Sequence, residues 1–548
     1  MDDSTARSTA TEEAPSTAPA ASPAAPVAPA VLSRGICGVK AEYLRPAPMR
    51  VTLDAEGRTR GMNKGAERLR SSTVDGTQRP SFDGESNFFH GEVLQRIKAI
   101  VRQRNTVTKR ARDSDNNCEP KPDKVPLVDE GETSVEPSNT NGVGDAAQQH
   151  VEHAATRNSD TPRVVSSGSE EALRENAARR SALFSNKLVL APLTTVGNLP
   201  FRRVCKEYGA DVTMSEMALV YNLNHLQKSE WSLLRRHESE DIFGIQIAVS
   251  RPQDALTWAQ AIEASDFSYD FVDINCGCPV DKIVNSGCGC GLWERKGNRL
   301  KEVVQSLVHH QSKPVSIKCR IGPNEDVPLL HNQIGDYAGY GAAAVTIHGR
   351  SRKQRYTKLA NWSYIDDCAT RTALPVIGNG DIFSYEDIVS HREQCPHVSS
   401  YMIGRGALIK PWIFEEIKAG QTRDISSHER FEMLRRFCDH GLAHWGSDER
   451  GVLTTRRFLC EWLSFLCRYV PVGLLERLPQ RINERPPFYE GRDELETLMA
   501  SDSAVDWIRI SEMLLGPAGD KFKFTPKHKS SSYATSGATS EMDMNVEG

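Results

Sequence analysis

The sequence predicts an α/β protein: a TIM (β/α)8 barrel followed by an all-helical C-terminal domain, with a largely disordered N-terminal extension. Three observations predict this fold class. Eight short apolar runs recur between residues 185 and 420, each run precedes a helical pattern, and the alternation stops near residue 420. Eight repeats over roughly 230 residues suit a TIM barrel, whereas a doubly wound sheet usually has fewer strands.

The N-terminal extension, residues 1–180, is expected to be mostly disordered. Residues 1–32 consist largely of Ala, Pro, Ser and Thr, and residues 113–180 are rich in Asp, Glu, Asn, Ser and Thr. Between them, residues 91–112 have the pattern of a short helix that ends in the basic Lys109-Arg110-Ala111-Arg112. The basic end fits nuclear import or RNA contact, and a solvated helix with a charged end is the alternative.

The barrel is expected to span residues 185–420. Asn198, two residues before Pro200, and Ser384 are typical N-caps of helices that follow strands. The eight predicted strands are residues 187–190, 211–214, 243–247, 271–274, 314–317, 343–347, 375–377 and 400–403.

A helical domain is expected over residues 421–520, because the strand pattern ends and Ser426 with Glu429 forms a capping-box motif ahead of an amphipathic run. Residues 521–548 are expected to form a flexible tail. The domain interleaves Trp462, Phe465 and Tyr469 with arginines, which are Arg456, Arg457, Arg468, Arg477, Arg481, Arg485 and Arg492.

Bulk composition argues against a membrane protein and leaves nucleic-acid binding open. No run of about 18 apolar residues occurs, and the first residues lack the charge-then-apolar pattern of a signal peptide. The formal net charge is −4, so RNA binding would need a local basic surface. The chain is therefore expected in the cytoplasm, the nucleus or both, where its 13 cysteines favour free, catalytic or metal-bound thiols over disulfides.

Two glycine loops follow the seventh and eighth predicted strands, the positions at which TIM barrels commonly hold a phosphate. They are Gly378-Asn379-Gly380-Asp381 and Gly404-Arg405-Gly406. Glycine lets backbone N–H groups approach an anion, and Arg405 can add a charged fork. Either loop alone is compatible with a tight turn, but the pair predicts a phosphate site.

Three more polar side chains lie in predicted strands or at their ends. Lys318 ends the fifth strand, where a fixed cation can stabilise an anionic reduced flavin held by that phosphate; a surface lysine is the alternative. Gln246 lies inside the third apolar run, where an amide needs a hydrogen-bond partner on a cofactor ring or in the core. His348 ends the sixth strand and fits a phosphate or substrate contact as well as a structural hydrogen bond.

The fourth strand leads into Asn275-Cys276-Gly277-Cys278-Pro279, where glycine and proline fix a sharp turn over the barrel mouth. A thiol held there can donate a proton, so Cys278 is the predicted catalytic residue. Cysteines 276, 278, 288 and 290 suggest a metal site, but C-x-C pairs are closer than the usual spacing of structural zinc ligands. No structural metal is expected, and the other three cysteines are interpreted as buried small hydrophobes.

Long motifs across the barrel and the helical domain carry a family resemblance. In the barrel they are Ala191-Pro192-Leu193-Thr194-Thr195-Val196-Gly197-Asn198-Leu199-Pro200-Phe201-Arg202, Cys278-Pro279, Lys318-Cys319-Arg320-Ile321-Gly322, Ile347-His348-Gly349-Arg350-Ser351-Arg352 and Gly378-Asn379-Gly380-Asp381. In the helical domain they are Tyr469-Val470-Pro471-Val472-Gly473-Leu474-Leu475-Glu476-Arg477-Leu478-Pro479-Gln480-Arg481-Ile482-Asn483 and Glu484-Arg485-Pro486-Pro487. With these motifs, residues 185 to about 520 resemble tRNA-dihydrouridine synthases, in particular the eukaryotic type that modifies uridine 47.

The resemblance implies a flavoenzyme that uses FMN, recharged by NADPH or NADH, to reduce the C5=C6 bond of a tRNA uridine to 5,6-dihydrouridine. It implies hydride transfer to C6 and protonation of C5 by Cys278. The uridine would leave its stack to enter the pocket, while the helical domain holds the tRNA backbone. The implied cofactor-binding residues are Pro192, Leu193, Thr194, Gln246, Lys318, His348, Asn379, Gly380, Asp381, Gly404 and Arg405.

One departure concerns zinc, because eukaryotic members of this subtype usually carry CCCH zinc fingers before the barrel. Only Cys37 and Cys118 precede Cys205, whereas a single such finger needs three cysteines. The zinc module is therefore expected to be absent or replaced in this chain.

Two rival interpretations remain. A flavin oxidoreductase acting on a free pyrimidine, like dihydroorotate dehydrogenases, has similar chemistry, but the arginine-rich helical domain argues against it. An inactive RNA-binding protein is the other rival, and Cys278, Lys318 and the two phosphate loops argue against that.

Overall fold

The computed structural model describes residues 36–46, 80–115, 182–294 and 298–527. The two stretches predicted to be disordered lie outside these ranges apart from residues 113–115, and so does the tail beyond residue 527. Among the helices that are described, none is both long enough and apolar enough to cross a membrane.

Eight parallel strands form a closed barrel. Each strand pairs with its neighbours in the chain, and the last strand pairs with the first, so the ring is complete. The strands are buried along almost their whole length, because one face lines the interior and the other packs under helices. The predicted fold class and all eight predicted strands are confirmed. The strands are β1 (Leu188–Leu190), β2 (Val212–Met214), β3 (Ile242–Ala248), β4 (Phe271–Cys276), β5 (Val315–Arg320), β6 (Ala344–His348), β7 (Val376–Asn379) and β8 (Ser400–Ile403).

The barrel interior is apolar at the amino ends of the strands. Closer to their carboxyl ends, it is polar on the side of β4. Val189, Phe271, Ile377 and Met402 pack together although they belong to four different strands, which places them inside the ring. Side chains alternate along a strand, so Asp273 projects to the same side of β4 as Phe271. A buried carboxylate therefore lies in the middle of the barrel.

Helices follow the strands and cover the outside of the barrel. Two start with the predicted caps: Asn198 accepts a hydrogen bond from the backbone N–H of Phe201, and Ser384 forms a capping box with Asp387. The helices of this part are Leu199–Glu207, Val220–Asn224, Lys228–Ser232, Pro252–Glu263, Asp281–Asn285, Cys290–Trp293, Arg299–His310, Tyr337–Tyr340, Trp362–Thr370, Tyr385–Gln394, Arg405–Ile409 and Ile413–Ala419, with 3-10 turns at Leu330–Asn332 and Ile334–Asp336.

The C-terminal helices pack directly on the barrel. The indole of Trp462 lies edge-on to Phe201, with ring centroids 5.3 Å apart, and its N–H donates to the carbonyl of Leu408 at 2.9 Å. Ser426 and Glu429 form the predicted capping box. Barrel and helices thus share one hydrophobic core. The helices are Ser427–Trp445, Glu449–Leu466, Glu494–Met499 and Ala504–Leu515, with a 3-10 turn at Val472–Leu474.

The predicted helix of the N-terminal extension, Gly91–Asp115, packs against the barrel. Ile97 and Val101 are buried in the main core, and Phe89 just before the helix stacks on Trp231 with ring centroids 4.6 Å apart. The interpretation of this helix as solvated is therefore wrong for its apolar face, because that face is covered by the barrel.

Residues 36–46 pack on the C-terminal helical part. Cys37 and Val39 are buried, and the backbone N–H of Cys37 donates to the carbonyl of Arg485 at 2.8 Å. The ammonium of Lys40 donates to the carbonyl of Gly473 at 2.7 Å. This segment, with its 3-10 turn at Ala41–Tyr43, is an ordered part of the extension.

Candidate active site

Cys278 lies in the turn that follows β4, at the carboxyl end of the barrel. The side-chain oxygen of Asn275 accepts hydrogen bonds from the backbone N–H groups of Gly277 at 3.1 Å and Cys278 at 2.9 Å. The thiol is half-buried, and burial raises the pKa of Cys278 above its ordinary value. At neutral pH the thiol keeps its proton, which is the state that a proton donor needs.

Gly289 holds the backbone of Cys278 from the other side. The carbonyl of Cys278 accepts a hydrogen bond from the N–H of Cys290 at 3.1 Å. Gly289 has a φ of +56°, and a Cβ at this position would stand 2.6 Å from the same carbonyl oxygen. Sequence reasoning missed Gly289, although a glycine between two cysteines was a visible signal.

The other cysteines of this region are buried thiols. Cys276, Cys288 and Cys290 are each less than a tenth exposed, in agreement with their interpretation as small hydrophobes. In the described ranges, no three His, Cys, Asp or Glu side chains are grouped so that they could hold a metal ion.

Lys318 reaches the barrel mouth from β5. Its ammonium nitrogen lies 3.3 Å from the side-chain oxygen of Asn379 at the end of β7, whose amide nitrogen donates to the carbonyl of Met402 at 2.8 Å. Burial lowers the pKa of Lys318 to about 8. The ammonium is still mostly protonated at neutral pH, so the structure brings a fixed cation next to the predicted phosphate loop.

Asp381 binds two arginines in the loop after β7. Its carboxylate accepts two hydrogen bonds from Arg350, at 2.6 and 2.7 Å, and one from Arg405 at 2.7 Å. The backbone N–H of Ala360 donates to it at 2.7 Å. Asp381 thus orients the guanidinium of Arg405, while Arg405 retains further N–H donors for an anion.

Tyr356 lies among three arginines and was missed by sequence reasoning. The centroid of its ring is 4.3 Å from the guanidinium carbon of Arg405, 5.2 Å from that of Arg350 and 5.9 Å from that of Arg320. Cations are attracted to the face of an aromatic ring, so the ring holds these arginines close together. An aromatic residue in the basic loop after β6 was the available signal.

His348 is buried at the end of β6. Burial lowers the pKa of His348 well below its ordinary value, and the nearby arginines and Lys318 lower it further. Its Nε2 lies 3.3 Å from the guanidinium of Arg350. The imidazole is therefore neutral at physiological pH and can accept a hydrogen bond from that arginine.

The mouth carries more positive than negative charge. Lys318, Arg320, Arg350 and Arg405 surround it, and Asp381 is the carboxylate that binds two of these arginines. Such an excess of positive charge in a partly buried site favours an anion.

The loop after β1 lies beside the loop after β8. The N–H of Ala191 donates to the carbonyl of Ile403 at 2.9 Å, and a Cβ placed on Gly404 would stand 3.7 Å from a methyl carbon of Leu193. The predicted residues Pro192, Leu193 and Thr194 are thus next to the second predicted phosphate loop.

Gln246 lies deeper, in the barrel interior. It is 1% exposed, and its amide is hydrogen-bonded to both Asp273 and Asn275. The structure therefore places Gln246 in a core hydrogen-bond network, and a contact with a cofactor ring stays a prediction.

A model of the dihydrouridine synthase family matches residues 189–451, which include all eight strands except the first residue of β1. These residues, just under half of the chain, are thus similar to the dihydrouridine synthase family.

Two curated relatives extend the similarity beyond these residues. The chain is 56% identical over 348 residues to a human protein and 55% identical over 351 residues to one from Xenopus laevis, both named tRNA-dihydrouridine(47) synthase, NAD(P)(+)-like. These matches cover 63% and 64% of this chain and 53% and 54% of those proteins. The chain thus spans just over half the length of these curated relatives.

Solved structures show a weaker likeness. Morphinone reductase in complex with tetrahydroNAD is 13% identical, covers 44% of this chain and 90% of its own, and has a TM-score of 0.31. The barrel is established by its own strand pairing.

The seven arginines of the helical part that the sequence analysis names differ in their surroundings. Arg456 is buried and bonds Ser511 and the carbonyl of Gly516, and Arg492 bonds Asp424 and Glu496, so both are structural. Four others are exposed, Arg457, Arg477, Arg481 and Arg485, of which Arg477 donates to Glu484 at 3.1 Å, and Arg468 is half-buried.

Proposed function

We propose that this chain is a tRNA-dihydrouridine synthase that reduces the C5=C6 bond of a tRNA uridine, at position 47, to 5,6-dihydrouridine. The observation that carries the proposal is Cys278, a protonated thiol that Asn275 holds in a turn at the cationic mouth of the barrel. Similarity to relatives named for position 47 supports the choice of uridine.

FMN is the proposed cofactor; recharged by NADPH or NADH, it supplies the hydride that reaches C6 of the uridine. The excess positive charge near Arg405 and the glycine backbones at 380 and 404 suit its phosphate. Lys318 is the cation that stabilises negative charge on the reduced ring. The other proposed cofactor-binding residues are Pro192, Leu193, Thr194, Gln246, His348, Asn379 and Asp381.

Cys278 is the proposed proton donor to C5 of the uridine. When the S–H bond breaks, its proton goes to C5 and the sulfur keeps the electron pair as a thiolate. Arg320 and Lys318 favour that thiolate electrostatically, which offsets part of the cost of burying it. Lys318 would therefore stabilise the anionic reduced ring before the reaction and, together with Arg320, the thiolate that the reaction forms.

tRNA is the proposed partner, bound through the exposed arginines of the helical part. These side chains, Arg457, Arg477, Arg481 and Arg485, suit contacts to the phosphate backbone, which give affinity without reading sequence. We place the reaction in the cytoplasm, the nucleus or both, where tRNA is available.

The test is uridine reduction by the purified protein. We expect a yellow protein that, given NADPH or NADH, forms dihydrouridine at position 47 of tRNA prepared without modifications, as mapped by mass spectrometry of tRNA fragments. A colourless protein, or a yellow one that reduces free pyrimidines and leaves tRNA unchanged, contradicts the proposal.

A further inference from the structure

A continuous set of side-chain hydrogen bonds links the barrel interior to the turn that carries Cys278. Asp273 accepts from the amide nitrogen of Gln246 at 2.8 Å, and the amide oxygen of Gln246 accepts from the amide nitrogen of Asn275 at 2.9 Å. The oxygen of Asn275 then accepts from the backbone N–H groups of Gly277 and Cys278. We call this set, from Asp273 to Cys278, the amide relay.

The direction of the bonds in the relay is fixed from both ends, by the carboxylate of Asp273 and by the backbone N–H groups of Gly277 and Cys278. An amide can present either its oxygen or its nitrogen to a given neighbour, because the two ends are nearly equal in size. Asp273 offers acceptors to both of its partners: Ser316 donates to one oxygen at 2.6 Å and Gln246 to the other. Gln246 must therefore turn its nitrogen towards Asp273 and its oxygen towards Asn275.

The orientation of the Gln246 amide in turn matches the orientation of Asn275 in the turn. Asn275 must give its nitrogen to Gln246, which leaves its oxygen for the N–H groups of Gly277 and Cys278. A reversed Asn275 would place a donor against those donors. Asp273 is fully buried and Gln246 is 1% exposed, so bulk water cannot replace a lost partner at that end of the relay.

We propose that Asp273 is a positioning residue for the proposed reaction: through the fixed direction of the Gln246 and Asn275 amides, it holds the backbone turn that presents the Cys278 thiol. This proposal rests on the proposed function for its catalytic consequence. The structural half of the proposal is that Asp273 protects the N–H groups of the turn from exchange, and this half does not depend on the proposed function.

The structural half is tested by hydrogen–deuterium exchange at the backbone N–H groups of Gly277 and Cys278 in the flavin-loaded protein. Asp273→Asn leaves one acceptor oxygen where Gln246 and Ser316 each use one, so the buried end of the relay loses a bond and exchange at these two groups should become about tenfold faster. Ser316→Ala removes the other bond to the same carboxylate without touching an amide, and exchange should stay within about twofold of wild type.

A double variant separates direction from general damage to the core. Asp273→Asn combined with Gln246→Glu exchanges the positions of the carboxylate and the amide. The amide nitrogen introduced at position 273 would then donate to the carboxylate introduced at position 246, and Asn275 would still donate to that carboxylate. Protection of the Gly277 and Cys278 N–H groups from exchange should return to the wild-type level. This result is expected even if Asp273→Asn alone fails to fold. Equal exchange in wild type and Asp273→Asn, or a double variant as unprotected as the single, overturns the proposal.

The catalytic half of the proposal, the effect of Asp273 on the reaction, is tested by measuring the rate of dihydrouridine formation per bound flavin. Asp273→Asn should lower kcat by at least about tenfold, with an unchanged KM for tRNA, because the thiol is misplaced and RNA binding is not. Faster exchange with unchanged kcat overturns the positioning role. A wild-type protein that forms no dihydrouridine contradicts the proposed function, while the exchange measurement still decides whether Asp273 holds the turn.

Discussion

Cys278 combines access to the barrel mouth with retention of its proton. It is open enough to the barrel mouth to reach a substrate, yet burial raises its pKa so that it keeps its proton. A cysteine that acts as a nucleophile needs the opposite shift. At the scale of single residues, the environment of this thiol therefore favours acid catalysis.

Asp381 is the residue on which two of the site's arginines depend. Arg350 is fully buried and forms an ion pair with Asp381, in which one of its terminal nitrogens donates to both carboxylate oxygens. Asp381→Ala should lower the free energy of unfolding of the flavin-free protein by about 3–5 kcal/mol, because it leaves a buried guanidinium uncompensated. Chemical denaturation measures the change.

Asp367→Ala is the matched control for that variant. Asp367 makes a similar bidentate contact to Arg371 on the outside of the barrel, where both side chains are almost half exposed. Its loss should cost less than about 1 kcal/mol. Equal costs for the two variants would show that Arg350 does not depend on Asp381.

The sequence reveals some of these residues and not others. Cys278, Lys318 and Arg405 were predictable because they stand directly after apolar runs, where a parallel barrel places its site. Tyr356 was not, because a long loop brings it back over the strand ends. Asp273 could have been found as a carboxylate inside the run Phe271-Val272-Asp273-Ile274, but its partners on neighbouring strands depend on register.

At the scale of elements, each strand was predictable because both of its faces are buried and its apolar run is continuous. The docking of helix Gly91–Asp115 was not predictable from its own sequence. An amphipathic pattern shows that one face of a helix is apolar and will be buried, but it does not show which surface buries it. In this fold the barrel helix Pro252–Glu263 covers that face.

Ile97→Ala tests whether that helix contributes to stability. Ile97 is fully buried in the main core, so its truncation should lower the free energy of unfolding by about 2–5 kcal/mol. Gln95→Ala, on the exposed side of the same helix, should change it by less than about 0.5 kcal/mol. Urea denaturation of both variants checks this, and an Ile97→Ala as stable as Gln95→Ala would mean that the helix is not docked in solution.

At the scale of the whole molecule, the barrel and the C-terminal helices form one body with a shared core. Trp462 joins them at the short helix Arg405–Ile409, which contains Leu408, so the helical part is anchored near the candidate site. A surface on these helices therefore keeps a fixed distance and angle to the mouth. Under the proposed function, this arrangement would let an RNA bound by the helical part present a nucleotide to the barrel mouth.

Replacing both Arg477 and Arg481 by Ala tests the RNA surface. Binding to tRNA should weaken, and the slope of log K against log salt should fall by about 0.7–0.9 for each phosphate that is no longer neutralised. Salt titrations of tRNA binding measure both. Arg371→Ala removes an exposed arginine on the outside of the barrel and should leave the slope unchanged. An unchanged slope in the double variant would show that these two arginines bind no phosphate.

The most direct test of the central claim is single-turnover reduction of tRNA by Cys278→Ala. The reduced, flavin-loaded variant should retain its yellow cofactor on reoxidation but form dihydrouridine at least about 100-fold more slowly than wild type, because a general acid contributes a factor of that size. Cys288→Ala, which removes a buried thiol from the same region, should react at nearly the wild-type rate. A Cys278→Ala protein that keeps its flavin and forms dihydrouridine at the wild-type rate would contradict the account.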